Sequence, residues 1–340
     1  MSQELESARA RANHTRYQPG NKAGHYESFF QRANHPTRPL AFWIRYTIFS
    51  PEQRPEDALG ELWAVYFDGE KGHHVAVKKE VPFTRCVFER SRFSVDVDGS
   101  RLGPGRLKGS AASSGRTISW DLSFRGDAEP LFLLPLGLYE KKLPRAKSVV
   151  GLPMALYRGV ISVDGTAIEV KDWLGSQNHN WGSKHTDLYA WGQVAGFDTH
   201  PESFLEVATA RIKIGPFWTP FMTLIVLRHE GEEFSLNSLR QTIRARGSFD
   251  YFNWKFRSRS REIDLEGTIS APRGAFAGLC YYNPPGGTKH CLNSKIASCE
   301  LEIKDKRSGK IGAVETLSAR CRAAFEILTD DLSHGIEIRA

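Results

Sequence analysis

The sequence predicts an all-β protein made of two antiparallel β-barrel or sandwich halves joined by a linker. Short segments that alternate apolar and polar residues recur from Leu40 to Ile338, with turn residues between them. No long segment has the 3.6-residue period of an amphipathic helix. Aromatic residues make up 11% of the chain, which favours half-buried sheet surfaces. The length of 340 residues suits two halves of roughly 150 to 170 residues.

The clearest strands of the first half lie at Leu40–Phe49, Glu61–Asp68 and Arg116–Phe124. Alternation in Leu40–Phe49 predicts two faces, formed by Phe42, Ile44, Tyr46 and Ile48 and by Trp43, Arg45, Thr47 and Phe49. Glu61–Asp68 runs into Asp68–Gly69, a pair typical of tight turns. Arg116–Phe124 alternates apolar residues with serine and aspartate, which predicts a sheet with one buried face.

The pattern along the chain predicts four segments. Residues 1–24 form a loose polar lead-in, 25–130 a first β domain, 131–156 a crossover or linker, and 157–340 a second β domain. The crossover is inferred from four prolines and a basic cluster, with one short helix expected. Within the second domain, Asp164–Gly165 predicts a hairpin turn, and Lys171–His185 is interpreted as irregular.

Composition bounds the environment of the protein. The net charge of +7 is compatible with an anionic ligand, a membrane surface or nucleic acid, and it selects none of them. The first twenty residues lack the apolar region of a signal peptide, and no stretch approaches the roughly 20 apolar residues that cross a bilayer. The five cysteines are odd in number and lack CxxC spacing, which predicts reduced thiols in a cytoplasmic protein.

Several chemistries find no support in the sequence. It has no GxxxxGKS or GxxxxGKT, no GxGxxG after a strand, no HExxH and no GxSxG, so we expect no ATP, nicotinamide or serine-hydrolase chemistry. His290, Cys291 and Cys299 match no metal-ligand spacing, so no metal is expected. The basic stretch Arg240–Arg261 alternates like a strand with one face in water, which argues against a nucleic-acid partner. Contact with anionic lipid headgroups stays open.

A dense polar cluster spans Gln177–Asn180 and is followed by His185. Amide and imidazole groups donate and accept hydrogen bonds without a fixed charge, so they can orient a ligand carbonyl or hydroxyl inside an apolar pocket. Histidine also suits proton transfer near neutral pH. Tryptophans at 173, 181 and 191 surround the cluster. The alternative is a turn whose polar side chains satisfy one another and the backbone.

A second group of interest combines His25–Phe30 with the strand around Arg45. Arg45 lies between apolar neighbours and requires a carboxylate partner if it is buried, for which Glu27 is the candidate. One interpretation is a structural ion pair that closes a barrel. The other is a catalytic carboxylic acid, whose pKa burial would raise and Arg45 would lower.

Two blocks of the sequence carry a family resemblance. The first is His25–Asn34 with Phe42–Thr47, and the second is Trp173–Gly182 with His185 and Tyr189–Gln193. Together they resemble the lipocalin-like superfamily that includes carotenoid 1,2-hydratases, tocopherol cyclases, AttH-type proteins and fungal decalin-forming Diels–Alderase-type cyclases. The resemblance implies two calycin-type β-barrels joined by a linker, with a ligand between or within them. It also implies redox-free chemistry on polyene, isoprenoid or polyketide-like molecules, without a metal or organic cofactor.

These inferences predict a cofactor-independent hydratase or cyclase that holds a hydrophobic small molecule. The expected catalytic residues are Glu27, His179 and His185, with Glu27 or His179 supplying or relaying a proton. The expected ligand-binding residues are Trp43, Arg45, Gln177, Asn178, Asn180, Trp181, Tyr189, Trp191 and Gln193. Two alternatives stay open. One is a non-catalytic carrier with the same cavity, and the other is an interaction protein with a filled core.

Overall fold

In a computed structural model that describes residues 3–307 and 314–340, the chain forms two large antiparallel sheets and a separate two-stranded hairpin. The predicted all-β class is confirmed. Met1 and Ser2 of the predicted lead-in, and residues 308–313 of the predicted second domain, lie outside the described residues. Neither helix of the described chain is long and apolar enough to span a membrane.

The first sheet contains twelve strands in the order β4-β3-β2-β1-β12-β11-β9-β8-β7-β6-β5, with β10 added to β11. Strand β4 also packs against β8 and β9, so this sheet nearly closes into a barrel. The strands are β1 (His25–Asn34), β2 (Leu40–Ser50), β3 (Leu59–Asp68), β4 (His73–Pro82), β5 (Cys86–Phe88), β6 (Val95–Val97), β7 (Ser100–Gly103), β8 (Arg106–Ser113), β9 (Arg116–Arg125), β10 (Leu131–Phe132), β11 (Ala146–Val163) and β12 (Thr166–Gly182).

The second sheet contains ten strands in the order β18-β17-β14-β13-β24-β23-β21-β20-β19, with β22 added to β23. Strands β15 and β16 form the separate hairpin. The strands are β13 (Leu188–Ala195), β14 (Phe204–Arg211), β15 (Lys213–Ile214), β16 (Phe217–Trp218), β17 (Met222–His229), β18 (Glu232–Leu236), β19 (Arg246–Asp250), β20 (Asn253–Arg259), β21 (Ile263–Ser270), β22 (Ala277–Tyr282), β23 (Thr288–Asp305) and β24 (Glu315–Thr329).

Helices are short in the described chain. Helix α1 covers Gln3–Ala10, and helix α2 covers Leu239–Arg244. Ser238 caps α2, because its hydroxyl accepts from the Gln241 backbone N–H while the Gln241 side chain accepts from the Ser238 backbone N–H. Single 3₁₀ turns lie at Pro55–Asp57, Phe83–Arg85, Leu136–Leu138 and Arg273–Ala275.

The two sheets share one apolar core, which places the first sheet against the second. Phe30, Trp43 and Trp63 of the first sheet pack among buried residues of the second sheet. Trp63 meets Tyr281 edge-on, with 5.5 Å between ring centroids. The other face of the first sheet holds a separate core, so both faces of its central strands are buried. The predicted faces of Leu40–Phe49 agree with this arrangement, because alternate residues of β2 enter the two cores.

The predicted hairpin at Asp164–Gly165 is confirmed. Both turn residues have positive φ, as a two-residue type I′ turn requires, and Val163 pairs with Thr166. The prediction that Lys171–His185 is irregular is wrong, because β12 continues to Gly182. Its backbone pairs with β1 on one side and β11 on the other, and these hydrogen bonds hold polar side chains in an extended strand.

The lead-in is not loose in the described structure. Ala12, Thr15 and Tyr17 are buried against the end of the first sheet. The division between sheets also differs from the predicted segments. Strands β11 and β12 carry residues 146–182 into the first sheet through their pairing with β9 and β1, and the second sheet begins at Leu188. The domain boundaries themselves stay a prediction.

Close contact between β1 and β12 predicts that Gly175→Ala destabilises the protein. A Cβ atom at position 175 would lie 1.8 Å from the carbonyl oxygen of Arg32, so the two strands must separate locally. We expect a loss of about 3 kcal/mol in the free energy of unfolding, measured by urea denaturation. Gly103→Ala in β7 is the control, because its Cβ would meet only the Phe93 carbonyl oxygen at 3.7 Å. Equal stability of the two variants would contradict the close contact.

Candidate functional site

A cavity of about 350 Å³ lies between the two sheets. Its walls are mainly aliphatic and aromatic, with a small number of polar groups, the usual composition of a site for an apolar ligand. The filled-core alternative does not fit this structure. The lining set includes Tyr26, Phe30, Trp43, Arg45, Asn178, Asn180, His185, Tyr189, Trp191, Glu206, Tyr281 and Glu326.

Alternation along the central strands decides which residues line the cavity. In the β1–β12 pairing, Phe30 lies opposite Asn178, and both line the cavity. Successive side chains of a strand point to opposite faces, so Glu27 and Gln177 point towards the core of the first sheet. The polar cluster of the sequence is therefore divided between two environments.

Glu206 is a buried carboxyl group in the cavity wall. Its Oε1 accepts from Trp191 Nε1 at 2.8 Å, and its Oε2 accepts from Gln193 Nε2 at 2.7 Å. Burial raises the pKa of Glu206 to about 7, although these two hydrogen bonds and the Arg32 charge act in the opposite direction. A carboxyl group that titrates near neutral pH can donate a proton to a ligand and take it back.

Gln193 connects Glu206 to the first sheet. Its Oε1 accepts from Arg32 Nε at 2.7 Å and from Ser176 Oγ at 2.5 Å, and its Nε2 also donates to Asn178 Oδ1 at 2.8 Å. All four of these side chains are buried. The network forms a polar floor that joins β1 and β12 to β13.

The second carboxyl group of the cavity, Glu326, is held differently. Its Oε1 accepts from Lys295 Nζ at 2.7 Å and from Asn293 Nδ2 at 3.1 Å. The Lys295 ammonium is fully buried and lies 5.7 Å from the Trp43 ring centroid. Glu326 is thus paired with a basic side chain, whereas Glu206 has neutral donors as its hydrogen-bond partners.

Four polar atoms of lining residues have no hydrogen-bond partner in the described chain. They are Trp43 Nε1, Arg45 Nε, Asn180 Oδ1 and Tyr281 Oη. Buried polar atoms without partners are costly, and sites that bind polar groups of a ligand commonly leave such atoms free in its absence. Two N–H donors, one amide oxygen and one hydroxyl that can donate or accept suit a ligand that carries oxygen functions on an apolar skeleton.

His185 lines the cavity as a neutral ring. It stacks on Tyr26 with 3.9 Å between centroids. Burial, together with the charges of Arg45 and Lys289, lowers the pKa of His185 to about 3. The ring therefore carries no charge at neutral pH and can hydrogen bond to a ligand.

Glu27 lies on the opposite face of the first sheet and is fully buried. It accepts from the backbone N–H groups of Arg16 and Tyr17 at 2.7 and 2.8 Å. His179 Nε2 and His25 Nε2 donate to it at 2.8 and 2.9 Å. Burial alone would raise the pKa, but the hydrogen bonds from the two histidines lower the pKa of Glu27 to about 2. Glu27 is therefore an ionised carboxylate at neutral pH.

His179 is held by both ring nitrogens. Nε2 contacts Glu27 Oε1, and Nδ1 lies 2.7 Å from the carbonyl oxygen of Ala12. The ring also stacks on Phe29, with 4.1 Å between centroids. We call Glu27, His25, His179 and the segment 12–17 the Glu27 cluster.

Comparison with solved structures identifies the fold. An AttH-like protein from Nitrosomonas europaea aligns with a TM-score of 0.55 over 90% of this chain and 92% of its own, at 13% identity. Kievitone hydratase from Nectria haematococca aligns with a TM-score of 0.53 over 92% and 91%, at 10% identity. CghA, solved with Sch210972, aligns with a TM-score of 0.50 over 92% and 90%, at 11% identity. This chain has the lipocalin-like fold of these three structures.

These alignments confirm the lipocalin-like fold that the two sequence blocks implied. No family model matches the chain. Two strains of Mycobacterium tuberculosis each hold an uncharacterised protein that is 26% identical over 218 residues. The alignment spans 64% of this chain and 64% of each relative, so the chain covers less than two thirds of their length.

Of the expected catalytic residues, His185 lines the cavity, and Glu27 does not belong to the lining set. His179 contributes to the lining, but both ring nitrogens are engaged in the Glu27 cluster. The role of Glu27 or His179 in supplying or relaying a proton stays a prediction. Hydrogen bonds from His25, His179 and the segment 12–17 keep Glu27 away from the cavity.

The predicted partnership of Glu27 with Arg45 is wrong. Glu27 pairs with Ile48, and Arg45 pairs with Phe30, so the two charged residues are three positions apart and point to opposite faces. Arg45 Nη2 instead donates to Ser28 Oγ at 2.6 Å. Its guanidinium lies 4.4 Å from the Tyr281 ring centroid, a cation–π contact between the sheets.

The expected ligand-binding residues separate into three groups. Trp43, Arg45, Asn178, Asn180, Tyr189 and Trp191 line the cavity. Gln193 does not belong to the lining set, but its Nε2 donates to the lining residues Asn178 and Glu206. Gln177 and Trp181 do not belong to the lining set, and their role in binding stays a prediction. Trp181 packs with Ala12 beside the Glu27 cluster.

Sequence reasoning missed Glu206, Tyr281 and Glu326. Glu206 carried a usable signal, because it is an acidic residue in the otherwise apolar run Phe204–Val207. A carboxylate at such a position must find donors or take a proton, and both mark a functional candidate. Glu326 lies in the comparable run Ala323–Leu328.

The Glu27 cluster predicts a stability that is lost in acid. The pKa of Glu27 is lowered in the folded state from 4.5 to about 2, so its contribution is present above pH 4.5 and lost as pH falls through 2. That difference corresponds to about 3 kcal/mol. We expect Glu27→Gln to lose about this much at pH 7 and to depend less on pH between 4.5 and 2, by chemical denaturation. The exposed control Glu202→Gln should follow the wild type. A Glu27→Gln variant as stable as wild type at pH 7 would rule out this role.

Proposed function

We propose that this protein acts on an apolar, oxygen-bearing small molecule held between the two sheets, by redox-free hydration or cyclisation of a double bond. Polyene, isoprenoid and polyketide-like molecules form the expected substrate class. The observation that carries the proposal is the Glu206 carboxyl group, buried in the cavity wall with a pKa of about 7. The fold shared with kievitone hydratase supports it as well, because that protein is named for adding water.

The proposed reaction begins with a proton from Glu206. The acid gives its proton to one carbon of the double bond, and positive charge develops on the other carbon. The ring faces of Trp191 and Trp43 can stabilise this charge, and the new Glu206 carboxylate adds an opposite charge nearby. In hydration, the oxygen of water bonds to the cationic carbon and a water proton returns to Glu206. In cyclisation, a second double bond closes the ring, and the loss of a proton to Glu206 restores neutrality.

The polar groups of the cavity lining orient the substrate in this proposal. Trp43 Nε1 and Arg45 Nε can donate to ligand oxygens, and Asn180 Oδ1 can accept from a ligand hydroxyl. Asn178 is already fixed by Ser176 and Gln193, so it serves as a rigid part of the floor. A few fixed polar groups in an apolar wall select orientation more than they add affinity.

Glu206→Gln tests the proposal directly. The ligand is first obtained from the purified protein by mass spectrometry of co-purifying molecules, and that molecule is the assay probe. We expect the variant to bind it with affinity within about threefold of wild type and to convert it at least 100-fold more slowly, since an amide cannot supply the proton. Wild-type turnover should fall as pH rises through about 7, because only the protonated acid reacts. Glu202→Gln is the control.

Two outcomes would contradict the catalytic proposal. Full turnover by Glu206→Gln would exclude Glu206 as the acid. Binding without conversion by wild type at pH 5 to 8 would favour the alternative of a non-catalytic carrier that uses the same cavity.

A further inference from the structure

Three side chains with metal-binding atoms meet at the edge of the second sheet. His200 lies in the turn between β13 and β14, His229 ends β17, and Glu315 begins β24. One ligand atom from each lies within 4.8 Å of the others. They are as much as 115 residues apart in the sequence, so no local spacing reveals the group.

The distances suit a small divalent ion. Glu315 Oε1 lies 2.7 Å from His200 Nε2, and Glu315 Oε2 lies 3.0 Å from His229 Nε2. A tetrahedral zinc ion about 2.0 to 2.1 Å from each ligand separates the ligand atoms by about 3.3 Å. Both of these oxygen–nitrogen distances lie within about 0.6 Å of that separation, and the ligand atoms of the two histidines lie within 4.8 Å of each other. Two imidazoles and one carboxylate form a known ligand set that leaves one position for water.

The surroundings hold these ligands in place. Ser203 Oγ lies 2.8 Å from His229 Nδ1 and fixes the ring so that Nε2 faces Glu315. The His200 carbonyl oxygen accepts from the backbone N–H groups of Phe197 and Ser203, each at 3.1 Å, which closes the turn that carries His200. His229 is buried, while the side chains of His200 and Glu315 are 32% and 39% exposed. The group is thus supported from inside and open to ions from outside.

We propose that His200, His229 and Glu315 form a binding site for a first-row divalent transition ion, with Zn²⁺ as the best fit. Bound there, the ion joins the β13–β14 turn to the ends of two strands. Its effect is on stability, because these residues are separate from the set that lines the cavity. The alternative is a histidine–glutamate–histidine group that holds together by hydrogen bonds alone.

The test uses the full chain after treatment with a chelator. Titration with Zn²⁺ in the presence of a competing chromophoric chelator should give one equivalent bound, with a rise in Tm. Co²⁺ should give the visible bands of a low-symmetry tetrahedral or five-coordinate ion. We expect Glu315→Gln and His200→Ala to weaken Zn²⁺ binding at least tenfold and to abolish the rise in Tm. Both residues are partly exposed, so the fold should tolerate their loss.

The matched control is the pair His290 and His334, whose ring nitrogens Nδ1 and Nε2 lie 2.9 Å apart. His290→Ala should bind Zn²⁺ like wild type. The proposal is overturned if wild type binds less than one equivalent at micromolar Zn²⁺. It is also overturned if binding survives in Glu315→Gln and His200→Ala, or is lost in His290→Ala.

A separate observation concerns the surface around the cavity opening. Five large apolar side chains there are 60% to 75% exposed: Leu143, Ile214, Phe217, Leu239 and Ile243. They adjoin the cavity, because Leu239 itself lines it and Pro144 and Ile212, which also line it, lie within two residues of Leu143 and Ile214. We call the segments 141–145, 213–218 and 239–246 the rim.

The charge of the rim indicates what covers it. The three segments carry seven basic residues and no acidic residue: Lys141, Lys142, Arg145, Lys213, Arg240, Arg244 and Arg246. Exposed apolar side chains among basic ones are typical of surfaces that bind anionic membranes. We infer that the rim docks on an anionic lipid surface with the cavity opening towards it. Docking in this orientation would let an apolar ligand pass between the membrane and the cavity, and this part of the inference rests on the proposed function.

Vesicle co-sedimentation tests the inference without any ligand or turnover, so its failure is distinct from failure of the catalytic proposal. We expect binding to phosphatidylcholine vesicles with 30% phosphatidylserine, at least tenfold weaker binding without phosphatidylserine, and a similar loss in 0.5 M NaCl. Leu239→Asp should lose binding at least tenfold. Leu332→Asp is the matched control, because both leucines are 72% exposed, and it should bind like wild type.

Absence of binding to the phosphatidylserine vesicles would overturn the inference, and so would equal binding by Leu239→Asp and Leu332→Asp. Light scattering decides what replaces it. Self-association that Leu239→Asp abolishes, without vesicle binding, would assign the rim to contact between copies of the chain.

Discussion

The organisation of the protein depends on the pairing of β1 with β12 and on the alternation of their side chains. Both faces of these strands are buried, so every polar residue on them must find partners on one side or the other. Glu27 and His179 do so in the Glu27 cluster, at the end of the first sheet. Asn178 does so between the sheets, through Ser176 and Gln193. The strands β1 and β12 thereby carry the Glu27 carboxylate on one face and part of the cavity wall on the other.

Glu27 and Glu206 illustrate how the surroundings of a carboxyl group decide its role. Both are buried. Glu27 has four donors, two of them histidines, and hydrogen bonding to its charged form outweighs the cost of burial. Glu206 has two neutral donors at an apolar wall, and burial prevails. The Glu27 carboxylate binds the N-terminal segment to the sheet. The Glu206 carboxyl group keeps a proton near neutral pH and can donate it.

Much of the fold follows from local pattern. The faces of β2 and the hairpin at Asp164–Gly165 were predictable, because alternation and turn chemistry act over a few residues. The two sequence blocks indicated the fold because each lies on a central strand of the first sheet. Lys171–His185 appeared irregular because polar residues occupied both faces. Partners far away in the sequence stabilise a strand of that composition, among them β1 and Ala12 of the N-terminal segment, more than 130 residues away.

The candidate site was harder to predict for the same reason. A cluster in sequence is not a cluster in space when it lies on a strand, so Gln177 and Asn178 point in opposite directions. Glu206 reaches the cavity from the other sheet, and nothing near it in the sequence indicates that Gln193 and Trp191 are its partners. The cavity is a product of packing between sheets, and alternation within one strand does not specify that packing.

The link between the sheets also controls the proposed acid. Gln193 accepts from Arg32 of the first sheet and donates to Glu206 of the second, so the same amide holds the sheets together and keeps the carboxyl group in place. If the sheets separated, water would reach Glu206 and its pKa would return towards 4.5, because burial is the cause that raises it. Glu206 would then be ionised at neutral pH and unable to donate. The proton is available only while the two sheets stay packed around Glu206, which ties their packing to the chemistry between them.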